Sequence, residues 1–178
     1  MRSGFAAPAS HALALTIAAT LMLALAGQAA FAKGRPTAKS FEGVWRITKV
    51  VTPGANARTD NHPQPSLQIF YRGYFSIIRD SSSEPRKPSP AAADPTKPTD
   101  DEKIARYDEW APFGASAGTY EVDGDTLITH NIVAKQVRGM TLTEEATFKF
   151  EGGDTFVATA KVEPGVPAGR QTTYTRVR

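Results

Sequence analysis

The stretch Phe41-Glu42-Gly43-Val44-Trp45-Arg46 opens the first strand-like run of this chain and decides its predicted fold. Its expected partner is the closing run, Tyr174-Thr175-Arg176-Val177-Arg178. A glycine removes a side chain where two backbones crowd together, and a guanidinium can lie across the face of an indole. We therefore predict that Gly43, Trp45 and Arg176 close one end of a small barrel.

About eight strand-like runs with short connections lie between and including these two ends. They cover residues 41–51, 67–71, 74–79, 119–122, 126–134, 142–150, 156–162 and 171–177. Apolar and polar residues alternate along several of them, which is typical of half-buried strands. The sequence therefore predicts an all-β, antiparallel, up-and-down eight-stranded barrel with one short helix. A barrel of this size holds either its own side chains or one small ligand.

Two longer segments interrupt the strands. Residues 52–66 are rich in Pro, Gly, Asn and Asp, which predicts a long loop at the barrel mouth. Residues 81–98 contain five prolines, which predicts an exposed, extended loop; a recruitment motif is the alternative. Thr99 and Glu102 then have the spacing of a capping box. A short helix is expected from Thr99 to Pro112, against the barrel side or across its mouth.

The N-terminus has the features of a secretory signal peptide. Arg2 precedes an apolar run that is too short for a membrane span, and an Ala-x-Ala pattern ends at Ala32. A membrane anchor is the alternative. We predict a signal peptide over residues 1–32, a flexible lead-in over 33–40 and a barrel domain over 41–178. The protein is then periplasmic or secreted, with no stable membrane insertion after cleavage.

Charge and composition exclude several classes of function. Cleavage would remove a single charged residue, Arg2, so the net charge falls from +3 to +2. This weak, scattered charge does not favour nucleic acid as a partner, and we expect a monomer. The chain has no cysteine, which excludes disulfides, a lipid anchor on cysteine and the usual zinc sites. Neither a nucleophile elbow nor a nucleotide-binding glycine loop occurs, so no cofactor and no metal are predicted.

Several motifs together resemble a known family. They are Phe41-x-Gly43-x-Trp45-Arg46, Pro63-Gln64-Pro65-Ser66-Leu67, Tyr74-Phe75-Ser76-Ile77, Asp101-Glu102-Lys103-Ile104 and Ala117-Gly118-Thr119-Tyr120-Glu121-Val122. The pattern resembles the lipocalin (calycin) signature, and more closely the bacterial lipocalin-like domain proteins, mostly uncharacterised exported proteins. The resemblance implies a lipocalin-like barrel that binds a small hydrophobic molecule. The segment 136–140 departs from the family, because the expected Asn-Pro start is missing.

His130 is the titratable residue of greatest interest, since it shares strand parity with Ile128 and Ile132. If this apolar face points inward, His130 could orient a ligand carbonyl or act as a general acid or base, with the phenol of Tyr120 beside it. The alternative is a core or surface histidine with one hydrogen bond, and a Tyr120 that only packs.

A set of aromatic residues supplies the expected pocket walls. Parity places Tyr71, Phe75, Phe148 and Tyr174 on the lining, with Tyr107 and Trp110 as a cover, although each is often a core residue when taken singly. The favoured interpretation is a container for a small apolar or amphipathic molecule. A cofactor-independent cyclase or isomerase using His130 and tyrosines is the first alternative, and a packed barrel acting through its surface is the second. Whether the protein is an enzyme is left open, with binding favoured.

Overall fold

The computed structural model of the chain describes residues 35–161 and 169–178. The predicted signal peptide, residues 1–32, lies outside the described residues. The barrel lies within the unit that runs from Pro36 to Arg178, and everything below concerns that unit.

Nine strands occur in the described residues. They are β1 Gly43–Thr52, β2 Arg58–Asp60, β3 Ser66–Tyr71, β4 Tyr74–Asp80, β5 Phe113–Asp123, β6 Thr126–Ala134, β7 Thr143–Phe150, β8 Thr155–Ala160 and β9 Gln171–Arg176. Each of β3 to β8 pairs antiparallel with the next strand, and β1 pairs with both β3 and β9. This closes an eight-stranded ring. The predicted all-β, up-and-down barrel with one longer helix is confirmed.

The remaining strand, β2, lies outside the ring and within the segment predicted as loop. β2 pairs with residues 50–52 of β1, whereas the pairing between β1 and β3 is limited to residues 43–45 of β1. The far half of β1 therefore has an edge that β3 leaves unpaired, and β2 covers that edge.

The two ends of the barrel differ in their connections. Tight turns join strands at one end: Arg72-Gly73, with both residues at positive φ, links β3 to β4, and Gly124-Asp125, one residue later than the predicted Asp123-Gly124, links β5 to β6. Both hairpins were expected from the sequence. The segments 53–65, 81–112 and 135–142 connect strands at the opposite end. We call the first end the closed end and the second the mouth.

A short helix, α1 (Ala38–Phe41), precedes the barrel where the sequence predicted a mobile lead-in and the start of a strand. The first strand begins only at Gly43, because the chain reverses there with φ of +128°. This reversal carries the Phe41 side chain into the barrel, where it is fully buried.

The second helix, α2 (Asp100–Trp110), begins as predicted. The Thr99 hydroxyl accepts a hydrogen bond from the Glu102 amide, and the Thr99 amide donates to the Glu102 carboxylate at 2.7 Å. This is the expected capping box. None of the described helices has the length and apolar character needed to cross a membrane.

Candidate ligand-binding cavity

A cavity of about 580 Å³ occupies the mouth half of the barrel. Its volume falls within the range of about 300–1,000 Å³ that is usual for small-molecule sites. Inward-facing residues of β3 to β9 form the wall, and the segment around Pro112 and the turn around Gly139 contribute to the rim. The barrel is therefore not filled along its whole length by its own side chains.

Aromatic rings fill the closed end, which we call the floor: Phe41, Trp45, Phe70, Tyr120, Phe148, Phe150 and Phe156. Phe41 is at its centre. Its ring centroid lies between 4.9 Å and 6.5 Å from the rings of five others, mostly edge to face. Such packing gains energy beyond the buried area alone, so the floor is a dense apolar plug.

Trp45 and Arg176 stabilise the floor through hydrogen bonds and a cation–π contact. The Trp45 indole donates a 2.6 Å hydrogen bond to the Phe41 carbonyl, and the Arg176 guanidinium lies 4.1 Å from the indole centroid. Arg176 also donates to the carbonyls of Glu42 and Ser40. A Cβ at Gly43 would collide with the Arg176 Nη1 atom, so the close approach requires glycine. This end of the barrel is therefore sealed.

Polar residues replace aromatic ones directly above the floor. Gln68, Thr129, Asn131 and Thr172 form this polar layer, and each is at least nine-tenths buried while lining the cavity. Among the described residues, Gln68 Oε1, Asn131 Oδ1 and Arg170 Nε have no hydrogen-bond partner. A buried polar atom without a partner costs about 1–3 kcal/mol. All of these atoms belong to residues that line the same cavity.

Among the residues that the structure describes, basic side chains outnumber acidic ones around the cavity. Arg79, Lys135, Arg138 and Arg170 line it, against Glu144 and Glu145. The Glu145 carboxylate is paired with Lys161 at 3.0 Å. Because field lines concentrate in a low-dielectric cleft, this excess of positive charge favours a ligand with an anionic group.

The segment 81–98 and α2 form a hydrogen-bonded unit beside the mouth. The Glu109 carboxylate accepts from the Ser89 hydroxyl at 2.6 Å and from the Ser89 amide at 2.9 Å. The Glu102 carboxylate accepts from the Ala93 amide, and Arg86 pairs with Asp80 at 2.6 Å. The segment is exposed and extended, as predicted, yet its backbone is anchored at several points.

These contacts change the acidity of the carboxyl groups involved. The Ser89 hydroxyl, followed by the Ser89 amide, lowers the pKa of Glu109 below its usual value. The amides of Ala93 and Thr99 lower the pKa of Glu102. For Asp80, burial acts in the opposite direction but is outweighed by hydrogen bonds from Ser82 and Arg86, which lower its pKa. The anchors are therefore fully formed at neutral pH.

The predicted lining residues separate into two groups. Phe75 and Tyr174 line the cavity, whereas Tyr120 and Phe148 are buried in the floor. The Tyr120 hydroxyl donates to the Ala38 carbonyl at 2.9 Å. Burial, followed by the charge of Glu42, raises the pKa of the Tyr120 phenol. Tyr120 therefore stays protonated and holds α1 against the barrel.

Tyr71, Tyr107 and Trp110 do not reach the interior. Tyr71 is exposed on the outer face of β3, since its neighbour Phe70 takes the inward position. Tyr107 is 72% exposed on α2, and Trp110 packs on Phe113 with a centroid distance of 5.4 Å. The expected cover over the mouth is thus not made by these rings, although Phe113 lines the rim.

The inward orientation considered for His130 is wrong. On β6, the side chains of Leu127, Thr129 and Asn131 face the interior of the barrel. His130 therefore points outward, between Thr143 and Glu121. Its Nδ1 atom lies 2.9 Å from the Thr143 hydroxyl, and its Nε2 atom lies 3.4 Å from the Glu121 carboxylate. His130 therefore does not supply an acid–base group inside the cavity for a cyclase or isomerase mechanism.

The residues that sequence reasoning missed are Gln68, Asn131 and Arg170. A signal existed for the first of them, because Gln68 shares parity with Phe70 inside a strongly apolar strand. Asn131 shares parity with Leu127 and Thr129, but the apolar Ile128 and Ile132 made the opposite face look like the interior. Arg170 lies just before β9 and had no distinguishing pattern.

A metal centre finds no support in the described part of the chain, where no group of three or more potential ligands comes together. The side chains at the cavity are amides, hydroxyls, guanidinium groups and aromatic rings. Such groups bind and orient an organic molecule by hydrogen bonding and apolar contact.

Comparisons with known proteins identify no family for this chain. No protein-family model matches the chain, and no curated protein matches it either. Among solved structures, a redesigned β-barrel is similar, with 8% sequence identity and a TM-score of 0.42 over 79% of this chain and 94% of the other. The resemblance to lipocalin-like proteins therefore stays a prediction, and the chain is described as a closed eight-stranded β-barrel.

Proposed function

We propose that this protein is an exported, lipocalin-like barrel that binds one small amphipathic molecule inside its mouth half. The observation that carries the proposal is the contrast within one interior: a sealed aromatic floor lies beneath an open cavity of about 580 Å³ with a buried polar layer. An apolar body fits against the floor, and polar groups of the ligand meet the polar layer.

The alternatives receive less support. A packed barrel that acts only through its surface would have no need of a cavity, and the enzyme alternative no longer has His130 as an internal acid or base. The leader-like residues 1–32 support export to the periplasm or beyond. We expect a monomer that does not bind nucleic acid, in keeping with its weak net charge, and that is not stably inserted in a membrane after cleavage.

The proposal is tested by filling the cavity. Ala158 is buried on the lining of β8, and its neighbour Val157 points to the outside of the same strand. We expect Ala158→Phe to abolish binding of the fluorescent probe anilinonaphthalene sulfonate and to release any small molecule that native mass spectrometry detects in the purified protein. Val157→Phe is the matched control and should bind normally.

Both variants must first show cooperative unfolding, because an added ring in a packed region costs about 1–3 kcal/mol. If the two folded variants bind the probe equally well, or the parent protein binds neither probe nor co-purifying molecule, the container function is refuted.

A further inference from the structure

We propose that the ligand of this cavity is a hydroxylated carboxylic acid with a compact apolar body. Its hydroxyl groups would donate to Gln68 and Asn131, and its carboxylate would accept from Arg170. This inference rests on the proposed function above and specifies the chemical class that the site selects.

The three polar groups approach the cavity from separate parts of the wall. Gln68 is on β3, Asn131 is on β6, and Arg170 immediately precedes β9. Two strands, β4 and β5, separate the first pair in the ring, and two more, β7 and β8, separate Asn131 from Arg170. The three residues therefore line one cavity from separate directions, and they do not pair with one another.

The two amides are acceptors that need donors. Asn131 Nδ2 donates to the Gly139 carbonyl at 3.1 Å, and this bond fixes the orientation of the amide. The Oδ1 atom, without a partner in the described residues, is then the free end. Gln68 Oε1 is likewise unpartnered there, and Gln68 is only 7% exposed. A carbonyl oxygen can only accept, so a ligand that satisfies these atoms has to supply hydrogen-bond donors, and hydroxyl groups are the donors in this proposal.

Arg170 has the opposite requirement, because a guanidinium only donates and is always charged. Two other basic groups at the rim are already engaged: Lys135 donates to the carbonyls of Trp110 and Phe113, and Arg138 Nε donates to Gln136 at 2.9 Å. The buried Arg170 Nε has no such partner among the described residues. A carboxylate is the planar, singly charged group that a lone guanidinium binds well.

Below these groups the wall becomes apolar. Phe75, Leu127, Phe156 and Ala158 line the lower part of the cavity. An aliphatic or aromatic ring system would fit there with its hydroxyl and carboxylate directed toward the polar layer and the mouth. A long, wholly apolar molecule would leave the three polar atoms without partners, which disfavours it.

The test is a binding titration of the full protein with a matched set of probes. The set contains a hydroxynaphthoate with its two groups on opposite rings, the parent naphthoate, naphthol, naphthyl phosphate and naphthalene. We expect hydroxynaphthoate to bind most tightly, and loss of either the hydroxyl or the carboxylate to weaken binding about tenfold or more.

Variants assign each preference to its residue. Arg170→Met should remove the preference for naphthoate over naphthalene, and Gln68→Leu should remove the preference for hydroxynaphthoate over naphthoate. Arg170→Lys keeps the charge but loses the planar donor pair, so it should retain only part of the carboxylate preference; it also serves if the Met variant does not fold. Arg178→Met, at an exposed residue near the closed end, is the control and should change nothing.

Each other result overturns the inference. Equal affinities across the set, while anilinonaphthalene sulfonate still binds and is excluded by Ala158→Phe, would leave the container standing and refute the acid class. If naphthyl phosphate binds more tightly than naphthoate and Arg170→Met removes this difference, the anionic group of the ligand is a phosphate and the carboxylic-acid class is refuted. Failure of every probe, anilinonaphthalene sulfonate included, would refute the proposed function and this inference with it.

Discussion

The two ends of this barrel are made by the same strands but have opposite contents. Toward the closed end, the inward positions carry Phe70, Tyr120, Phe148 and Phe156, and Phe41 inserts among them. Toward the mouth, the inward positions carry smaller or polar residues such as Gln68, Asn131 and Ala158, and a cavity of about 580 Å³ is left open. The pairing also shifts register within β5–β6 and β1–β9, so the halves differ in side-chain size and in local strand geometry.

The two halves of the interior differ in how well they meet the requirements of a packed core. The floor satisfies every requirement of a core, since large apolar rings pack together and the Trp45 indole nitrogen finds a carbonyl acceptor. The polar layer leaves Gln68 Oε1 and Asn131 Oδ1 without partners in the described residues. Proteins commonly accept such local costs at binding sites and offset them elsewhere. We therefore expect substitutions in the two halves to have effects of different size and sign.

The largest expected effect is in the floor. Phe41→Ala should lower the free energy of unfolding by about 3–5 kcal/mol, because a fully buried ring leaves a cavity among rigid neighbours. Chemical denaturation measures the change, with Tyr71→Ala as an aromatic control on the outer face. Similar losses of stability in Phe41→Ala and Tyr71→Ala would contradict the description of the closed end as a tightly packed core.

The second effect concerns the close approach that seals the floor. Gly43→Ala should cost about 1–3 kcal/mol for the left-handed backbone, with a further loss because the new Cβ meets the Arg176 guanidinium. Gly54→Ala is the control, since Gly54 has a φ of +96°, nearer to that of Gly43 than any other glycine with open space around it. Denaturation of both variants separates the two contributions. Equal losses at the two glycines would show that the contact with Arg176 contributes nothing.

The architecture was within reach of the sequence because its signals are local. Each of these signals depends on a few neighbouring residues, and each corresponds to an element of the structure. They are the alternating runs, the hairpins predicted at Arg72-Gly73 and Asp123-Gly124, and the Thr99–Glu102 capping box. The start of β1 was less accessible. The helical turn of α1 forms because Phe41 fills a space that other strands create, which no local pattern reveals.

Most residues of the candidate site could not be predicted from the sequence, because their positions depend on long-range packing. The rule that apolar faces point inward holds in the floor and fails in the mouth half, where Thr129 and Asn131 face the cavity and Ile132 is 63% exposed. Parity therefore assigned His130 to the wrong side of β6. Arg170 is brought to the cavity by closure of the ring, a long-range event that spacing does not encode.

A third, smaller effect contrasts two inward residues of β3. Gln68→Leu should leave the free energy of unfolding unchanged or raise it by up to about 1 kcal/mol, because it removes an unpartnered polar atom. Phe70→Leu, two residues away in the floor, should lower it. Thermal unfolding without ligand measures both. A clear loss of stability in Gln68→Leu would mean that Gln68 belongs to the folded core rather than to the ligand site.

The smallest effect distinguishes how the two ends are held. Packing holds the floor, whereas the segment beside the mouth is held by carboxylates such as Glu109, whose pKa is lowered by the hydroxyl and amide of Ser89. A lowered pKa in the folded state means that the contact stabilises above the usual carboxyl range and is lost as the pH falls through the lowered pKa. The amide NMR signal of Ser89 should therefore titrate with a midpoint below about 4.3.

Matched variants and residues make this titration specific. Glu109→Gln should remove the titration of Ser89 and leave that of Ala93, which is bonded to Glu102, in place. The amides of the floor should not move in the same range, since apolar packing does not depend on these protons. A midpoint for Ser89 at or above the usual value would contradict the anchoring role of Glu109. Simultaneous loss of the floor signals would mean that mouth and floor unfold together, and that the division between them is one of composition but not of stability.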